Sequence, residues 1–151
     1  MAIEDDISLL ERVPTLGPLG RQALRILAIG AEKRRVRGGE VLFRAGDQAD
    51  GGFVIQEGRF SLSSPEDGEV TVGPCTLLGE VALFAETRRL ATAKALEAAS
   101  VLSIPRPLFI RMLDSFPDAA RKLREILATR LDQSTREISS LRAVLDVHEP
   151  K

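Results

Sequence analysis

Histidine occurs once in this 151-residue chain, at His148, cysteine once, at Cys75, and tyrosine and tryptophan not at all. A single thiol excludes an intramolecular disulfide, and a cysteine-ligated zinc or iron–sulfur site lacks its ligands. That usage fits a reducing compartment. His148 stands next to the C-terminus in a polar stretch, so the schemes by which most hydrolases and metalloenzymes use histidine as base or ligand have nothing to work with. The sequence therefore predicts a binding protein, not an enzyme, with no metal and no resident cofactor. Charge of one sign is missing too: 21 basic residues face 22 acidic ones, a net charge of −1. No bulk excess draws the chain to nucleic acid or anionic lipid, and any anion it binds must be held locally. No apolar run approaches the roughly 18 residues of a membrane span, and the opening MAIEDDISLLERV is acidic where a signal peptide is basic. The expectation is a soluble cytoplasmic protein with no membrane partner.

What is present divides into three regions of one domain, since 44% hydrophobic residues suffice for a core. Residues 1–32 read as small packing helices, with Leu9, Leu10 and Val13 before a break at Pro14 to Pro18, and Leu24, Leu27 and Ala28 after it. Residues 33–104 change period. Val41-Leu42-Phe43, Phe53-Val54-Ile55, Phe60-Ser61-Leu62, Val70-Thr71-Val72 and Val101 to Ile104 are short strands. They are separated by Gly38-Gly39, Gly46-Asp47, Gly51-Gly52, Glu57-Gly58 and Pro65 to Gly68. Many short strands with evenly spaced turns predict a β-sandwich or jelly roll. Cys75 fits a small buried hydrophobe at the end of one strand. The run Lys33-Arg34-Arg35-Val36-Arg37 reads as a solvated strand edge.

Residues 105–147 are helical. A short helix covers Pro107 to Phe116, and Ser115, Pro117 and Asp118 signal the start of a longer one. Helical through Asp146, it would span roughly 43 Å and overhang a small β domain. Its apolar positions Leu127, Leu131, Ile138, Leu141 and Leu145 form a seam with Ser134 in the remaining place. That spacing predicts a coiled-coil homodimer, against the alternative of a helix packed on its own domain. Residues 148–151 are a tail.

One stretch carries chemistry: LLGEVALFAETRRLATAKA, Leu77 to Ala95. A turn at Gly79 opening a one-turn helix over Glu80 to Phe84 aims free backbone N–H groups at an anion, and Gly79 admits a close approach. Arg89 forks onto a phosphate in planar, bidentate geometry. Ionised Glu80 accepts only, which suits the hydroxyls of a ribose. Together they describe a nucleotide monophosphate site. Alternatively Glu80 and Arg89 pair with one another across an empty cassette.

Gly39-Glu40-Val41-Leu42-Phe43, then Gly46-Asp47, Ala49-Asp50, Phe53, Ile55 and Gly58, followed by Gly79-Glu80-Val81-Ala82-Leu83 and Arg89 leading into Ala91-Thr92, resemble the cyclic nucleotide-binding domain family from about Leu10 to Val147. The resemblance implies an α+β, mainly β fold: a β-roll or jelly roll (double-stranded β-helix) with small N-terminal helices, a phosphate-binding cassette helix and a long C-terminal dimerisation helix. It implies that Glu80 takes the ribose 2′-hydroxyl, that Arg89 takes the exocyclic oxygen of the cyclic phosphate, and that amides near Val81 and Ala82 take its other oxygens. The long helix resembles that of the catabolite-activator branch, where a threonine–serine pair reaches the adenine, one of the two from the partner subunit. Ser134-Thr135 holds the similar place here, ahead of Leu145-Asp146-Val147. In that branch a helix-turn-helix follows; here the sequence ends at Lys151, so direct DNA binding is not expected and a protein effector is.

Two positions depart from the family's pattern. Leu90 replaces a small or hydroxylated residue and either crowds the phosphate or points into the roll; lacking a hydroxyl for guanine, it favours cyclic AMP over cyclic GMP. Arg88 stands where many members have proline, as a surface charge or a second phosphate ligand. The alternative function is a ligand-free domain of this type acting as a dimerisation or interaction module. A metal-dependent cupin is disfavoured because the roll holds no histidine.

Overall fold

The computed structural model describes residues 2–66 and 68–136, the side chains of 2, 127 and 129–136 excepted. The N-terminal region forms α1 (Ala2–Glu11), a 3-10 turn (Gly17–Leu19) and α2 (Arg21–Gly30). Between the helices the chain turns at Pro14, where a ring without an N–H cannot extend α1. Ten strands follow: β1 (Glu32–Val36), β2 (Val41–Phe43), β3 (Gln48–Ala49), β4 (Gly51–Glu57), β5 (Phe60–Ser64), β6 (Gly68–Val72), β7 (Leu77–Leu78), β8 (Thr87–Arg88), β9 (Thr92–Ala95) and β10 (Ala99–Pro105). The chain closes with α3 (Arg106–Ser115) and α4 (Pro117–Arg136).

All strand pairs are antiparallel, in two four-stranded sheets ordered β1-β10-β4-β7 and β2-β9-β5-β6, with β3 and β8 pairing separately. The architecture is mainly β with a few helices, as the turn spacing predicts. Burial alternates as the pleat requires. On β4 and β10 one set of side chains, Ile55 and Val101, joins Phe60, Ala93 and Ala95 of the other sheet. The opposite set, Val54, Leu102 and Ile104, packs on α1, α2 and α3 through Ile7, Leu24, Leu27 and Phe109. Both faces of these strands are therefore covered, which is why their apolar runs are nearly continuous. The basic run forms β1 at the edge of its sheet, with Glu32 to Arg35 exposed and only Val36 buried.

Two local expectations are corrected. Cys75 is half-buried, not buried: it lies three residues past the end of β6 in a turn at φ 68, and its N–H donates to the Ile55 carbonyl. Gly51-Gly52 is not a turn but the start of β4, because the backbone of β10 runs too close for a side chain at Gly51. The two-residue strands β3, β7 and β8 are too short to show a period. The seam positions Leu127, Leu131, Ser134, Ile138, Leu141 and Leu145, and the tail 148–151, fall outside the described side chains.

Asp6 of α1 accepts a hydrogen bond from Gln56 Nε2 at 3.1 Å, tying the helices to β4. Burial raises its pKa, opposed by Lys33 and reinforced by Asp5. Its proton is thus held more tightly in the folded state, a contribution to stability fully present below the ordinary value of 3.8 and lost as pH rises through the folded value. Asp6→Asn keeps the acceptor and removes the charge. It should melt slightly above wild type at pH 7, with the two melting temperatures converging as the pH falls toward 3.8.

Candidate functional site

Gly79 adopts φ 79, a backbone conformation side chains rarely take, and starts a 3-10 turn over Val81–Leu83. An added Cβ there would collide with Arg89 Nη1, so the glycine is required twice over. Within the turn Ala82 N–H donates to the Gly79 carbonyl at 3.1 Å and Leu83 N–H to that of Glu80 at 3.1 Å. The expectation that the Ala82 amide is free is corrected: it closes the turn. The Val81 N–H has no acceptor among the described residues. Leu83 is buried in the helical cluster, and Phe84 lies against Phe109 of α3 with ring centroids 6.3 Å apart. The cassette is thus plugged into the helices.

Arg89 follows β8 and is pinned by its backbone: its N–H donates to the Asp47 carbonyl at 2.7 Å and its carbonyl accepts from Gly46 N–H at 2.7 Å. Its side chain folds inward, and the residue is only 8% exposed. The guanidinium carbon lies 4.4 Å from the Phe43 ring centroid and 5.4 Å from that of Phe53, and Nη2 donates to the Gly51 carbonyl at 2.8 Å. Burial lowers its pKa, opposed by Asp50 and Asp47 and reinforced by Arg106. A guanidinium stays protonated through such a shift. The site therefore holds a buried positive charge whose Nη1, beside Gly79, has no partner among the described residues. An unmet buried donor costs about 1–3 kcal/mol, more when charged, and an anion removes that cost.

Glu80 accepts a hydrogen bond from Thr15 Oγ1 at 2.5 Å. Among the described residues no ion pair joins it to Arg89, so the alternative of a closed Glu80–Arg89 bridge is not what the structure contains. Both residues line a cavity of about 870 Å³ together with Gly79, Val81, Ala82, Arg88, Leu90 and Ala91. Leu90 is 40% exposed, not buried between the sheets, and lines the same cavity as the apolar Leu62, Val70 and Ile126 of α4. Arg88 is exposed and donates to the Gly46 carbonyl at 2.9 Å. Seven of the nine residues expected at the site therefore share one cavity. Ser134 and Thr135 lie on α4 beyond Ile126, but their side chains are outside the description.

A family profile described as the cyclic nucleotide-binding domain matches residues 33–116, from β1 through α3. The chain belongs to the cyclic nucleotide-binding domain family. It is 40% identical to a cyclic nucleotide-binding-like protein from Brucella abortus, with a TM-score of 0.64, over 73% of this chain and 98% of that one. The N-terminal domain of a transcriptional regulator from Streptomyces coelicolor A3(2) is 29% identical, with a TM-score of 0.77, over 86% of this chain and 94% of that one. An uncharacterized NTE family protein of Mycobacterium tuberculosis is 30% identical over 128 residues, 83% of this chain. The chain spans only 22% of that relative's length, so the likeness concerns this regulatory domain alone. No described helix is long and apolar enough to cross a membrane.

Four residues of this cyclic nucleotide-binding domain escaped the sequence reading. Phe43 and Phe53 form the cradle of Arg89, Thr15 holds Glu80, and Arg106 at the start of α3 donates to the carbonyls of Ala82 at 3.0 Å and Ala49 at 2.5 Å. Only Phe43 and Phe53 left a signal, as aromatics on neighbouring strand runs. Thr15 and Arg106 reach across 65 and 24 residues to the cassette, distances no local pattern records.

Proposed function

We propose that this domain is a cyclic nucleotide sensor that binds cyclic AMP in the cavity beneath α4. The observation that carries the reading is the buried, charged Arg89 with Nη1 unpaired next to Gly79. In this reading Arg89 takes the exocyclic phosphate oxygen, the Val81 amide a second one, and Glu80 the ribose 2′-hydroxyl. The base lies in the mouth formed by Leu62, Val70, Leu90 and Ile126, where an apolar, non-hydroxylated rim favours adenine over guanine. The two sheets form a jelly roll, and the C-terminal helix is the dimerisation element of a cytoplasmic homodimer. Ser134 or Thr135 reaches the base, one of them from the partner. Binding shifts α4 by differential affinity for two arrangements, and a protein effector reads the change. The packing of Leu83, Phe84 and Arg106 between cassette and α3 supports that route.

The exposed Leu90 favours one other reading, a ligand-free interaction module. Calorimetric titration of nucleotide-stripped protein decides between them. The sensor binds one cyclic AMP per chain, more tightly than cyclic GMP, and gains about 2.7 kcal/mol of stability at a 100-fold excess over Kd. Neither heat nor a raised melting temperature with either nucleotide overturns the sensor and leaves the module.

A further inference from the structure

We propose that Thr15, in the N-terminal segment, is the positioning residue for Glu80 and sets how strongly the site demands a ribose 2′-hydroxyl. The inference rests on the reading of the cavity as a cyclic nucleotide site. Glu80 occupies the N-cap of the Val81–Leu83 turn, yet its side chain makes no capping bond there. It reaches across to accept a hydrogen bond from Thr15 Oγ1. A carboxylate held in place before the ligand arrives avoids the cost of ordering it on binding.

Thr15 is itself held. It is 7% exposed, between Val13 at 1% and Leu16 at 0%. The turn around it is closed by Leu16 N–H and Gly17 N–H, which donate to the Val13 carbonyl at 3.0 and 2.8 Å. Its β-branched side chain has little χ1 freedom. Thr15 and Pro14 also line the cavity, and α4 packs on the Gly17–Leu19 turn that follows. The acceptor for a sugar hydroxyl is consequently aimed by a segment outside the roll. Any displacement of that segment alters the ribose contact before it alters the phosphate contact at Arg89.

The test compares cyclic AMP with 2′-deoxy cyclic AMP on wild type, Thr15→Val and Thr15→Ser by calorimetry. Valine keeps the shape and removes the donor; serine keeps the donor. Wild type should prefer the ribonucleotide by about tenfold or more, the value of one hydrogen bond to a charged group. Thr15→Val should lose about fivefold for cyclic AMP and nothing for the deoxy ligand, so that the preference collapses, and Thr15→Ser should restore it. On a Glu80→Gln background Thr15→Val should leave the preference unchanged. Equal weakening for both ligands would show a purely structural role and overturn the inference, as would an unchanged preference. Should valine impair folding, Thr15→Ala gives the same comparison. Wild type that binds both ligands without preference overturns the role of Glu80 and with it that of Thr15, and wild type that binds neither removes the site itself.

Discussion

Arg89→Met should weaken cyclic AMP binding by about 100-fold while the protein melts within about 4 °C of wild type. The two halves of that result have separate causes. In the proposed site, binding loses a charge-assisted contact to a buried guanidinium; roughly 3 kcal/mol for such a contact is about two decades in Kd. Folding loses a cation held over Phe43 and Phe53, about 0.5–2 kcal/mol, and the bond to the Gly51 carbonyl. It is also relieved of a desolvated charge, the effect that lowers the Arg89 pKa. Replacing buried ionic groups with apolar side chains of similar volume is often neutral, so the net change is within about 1 kcal/mol, or a few degrees for a chain of this size. Calorimetry and thermal melts on the same preparation check both halves. A variant that melts far below wild type would mean that Arg89 is a structural strut, and tight binding by a folded variant would remove it from the site.

Gly51→Ala should produce the largest loss of stability, about 3 kcal/mol, lowering the melting temperature by about 10 °C. An added Cβ would collide with the Ile104 carbonyl oxygen and lie 2.8 Å from Pro105 Cα and 3.0 Å from Ile104 C. These are backbone atoms of β10, registered against β4 as Pro105 to Gly51 and Ile104 to Gly52. They cannot retreat, because β10 is also paired with β1 on its other edge and its side chains are buried on both faces. The Gly51 carbonyl itself accepts from Arg89 Nη2, so nucleotide affinity should fall with stability. Gly73→Ala is the control: there a Cβ would meet only Arg59 Cγ at 3.9 Å, and the melt should not move. Equal melts for Gly51→Ala and the control would show that the β4–β10 spacing yields.

Legibility in the sequence followed range. Short strands between glycine turns were readable because a period of two and a turn residue are local. So was the cassette, since Gly79, Glu80 and Val81 are neighbours and Arg89 stands nine positions beyond Glu80. The Ala82 amide was misread for an equally local reason: the turn tightened to 3-10 geometry, with bonds to the third residue back. The half-burial of Cys75 in a left-handed turn was not readable, because Gly73, Pro74 and Thr76 around it show no period.

By itself, then, the sequence determined that this is a β-rich, histidine-poor binding domain of the cyclic nucleotide-binding family, with Glu80 and Arg89 as its charged pair. Only the tertiary structure decided what each of the two does. It buried Arg89 between Phe43, Phe53 and Gly51 and left one nitrogen unpaired; it turned Glu80 away from Arg89 and onto Thr15. The physical reason is that periodicity records which face of a strand or helix is apolar, whereas the element lying opposite is chosen by packing of the whole chain. The bonds made by Thr15, Gly51 and Arg106 all cross between elements that packing brought together.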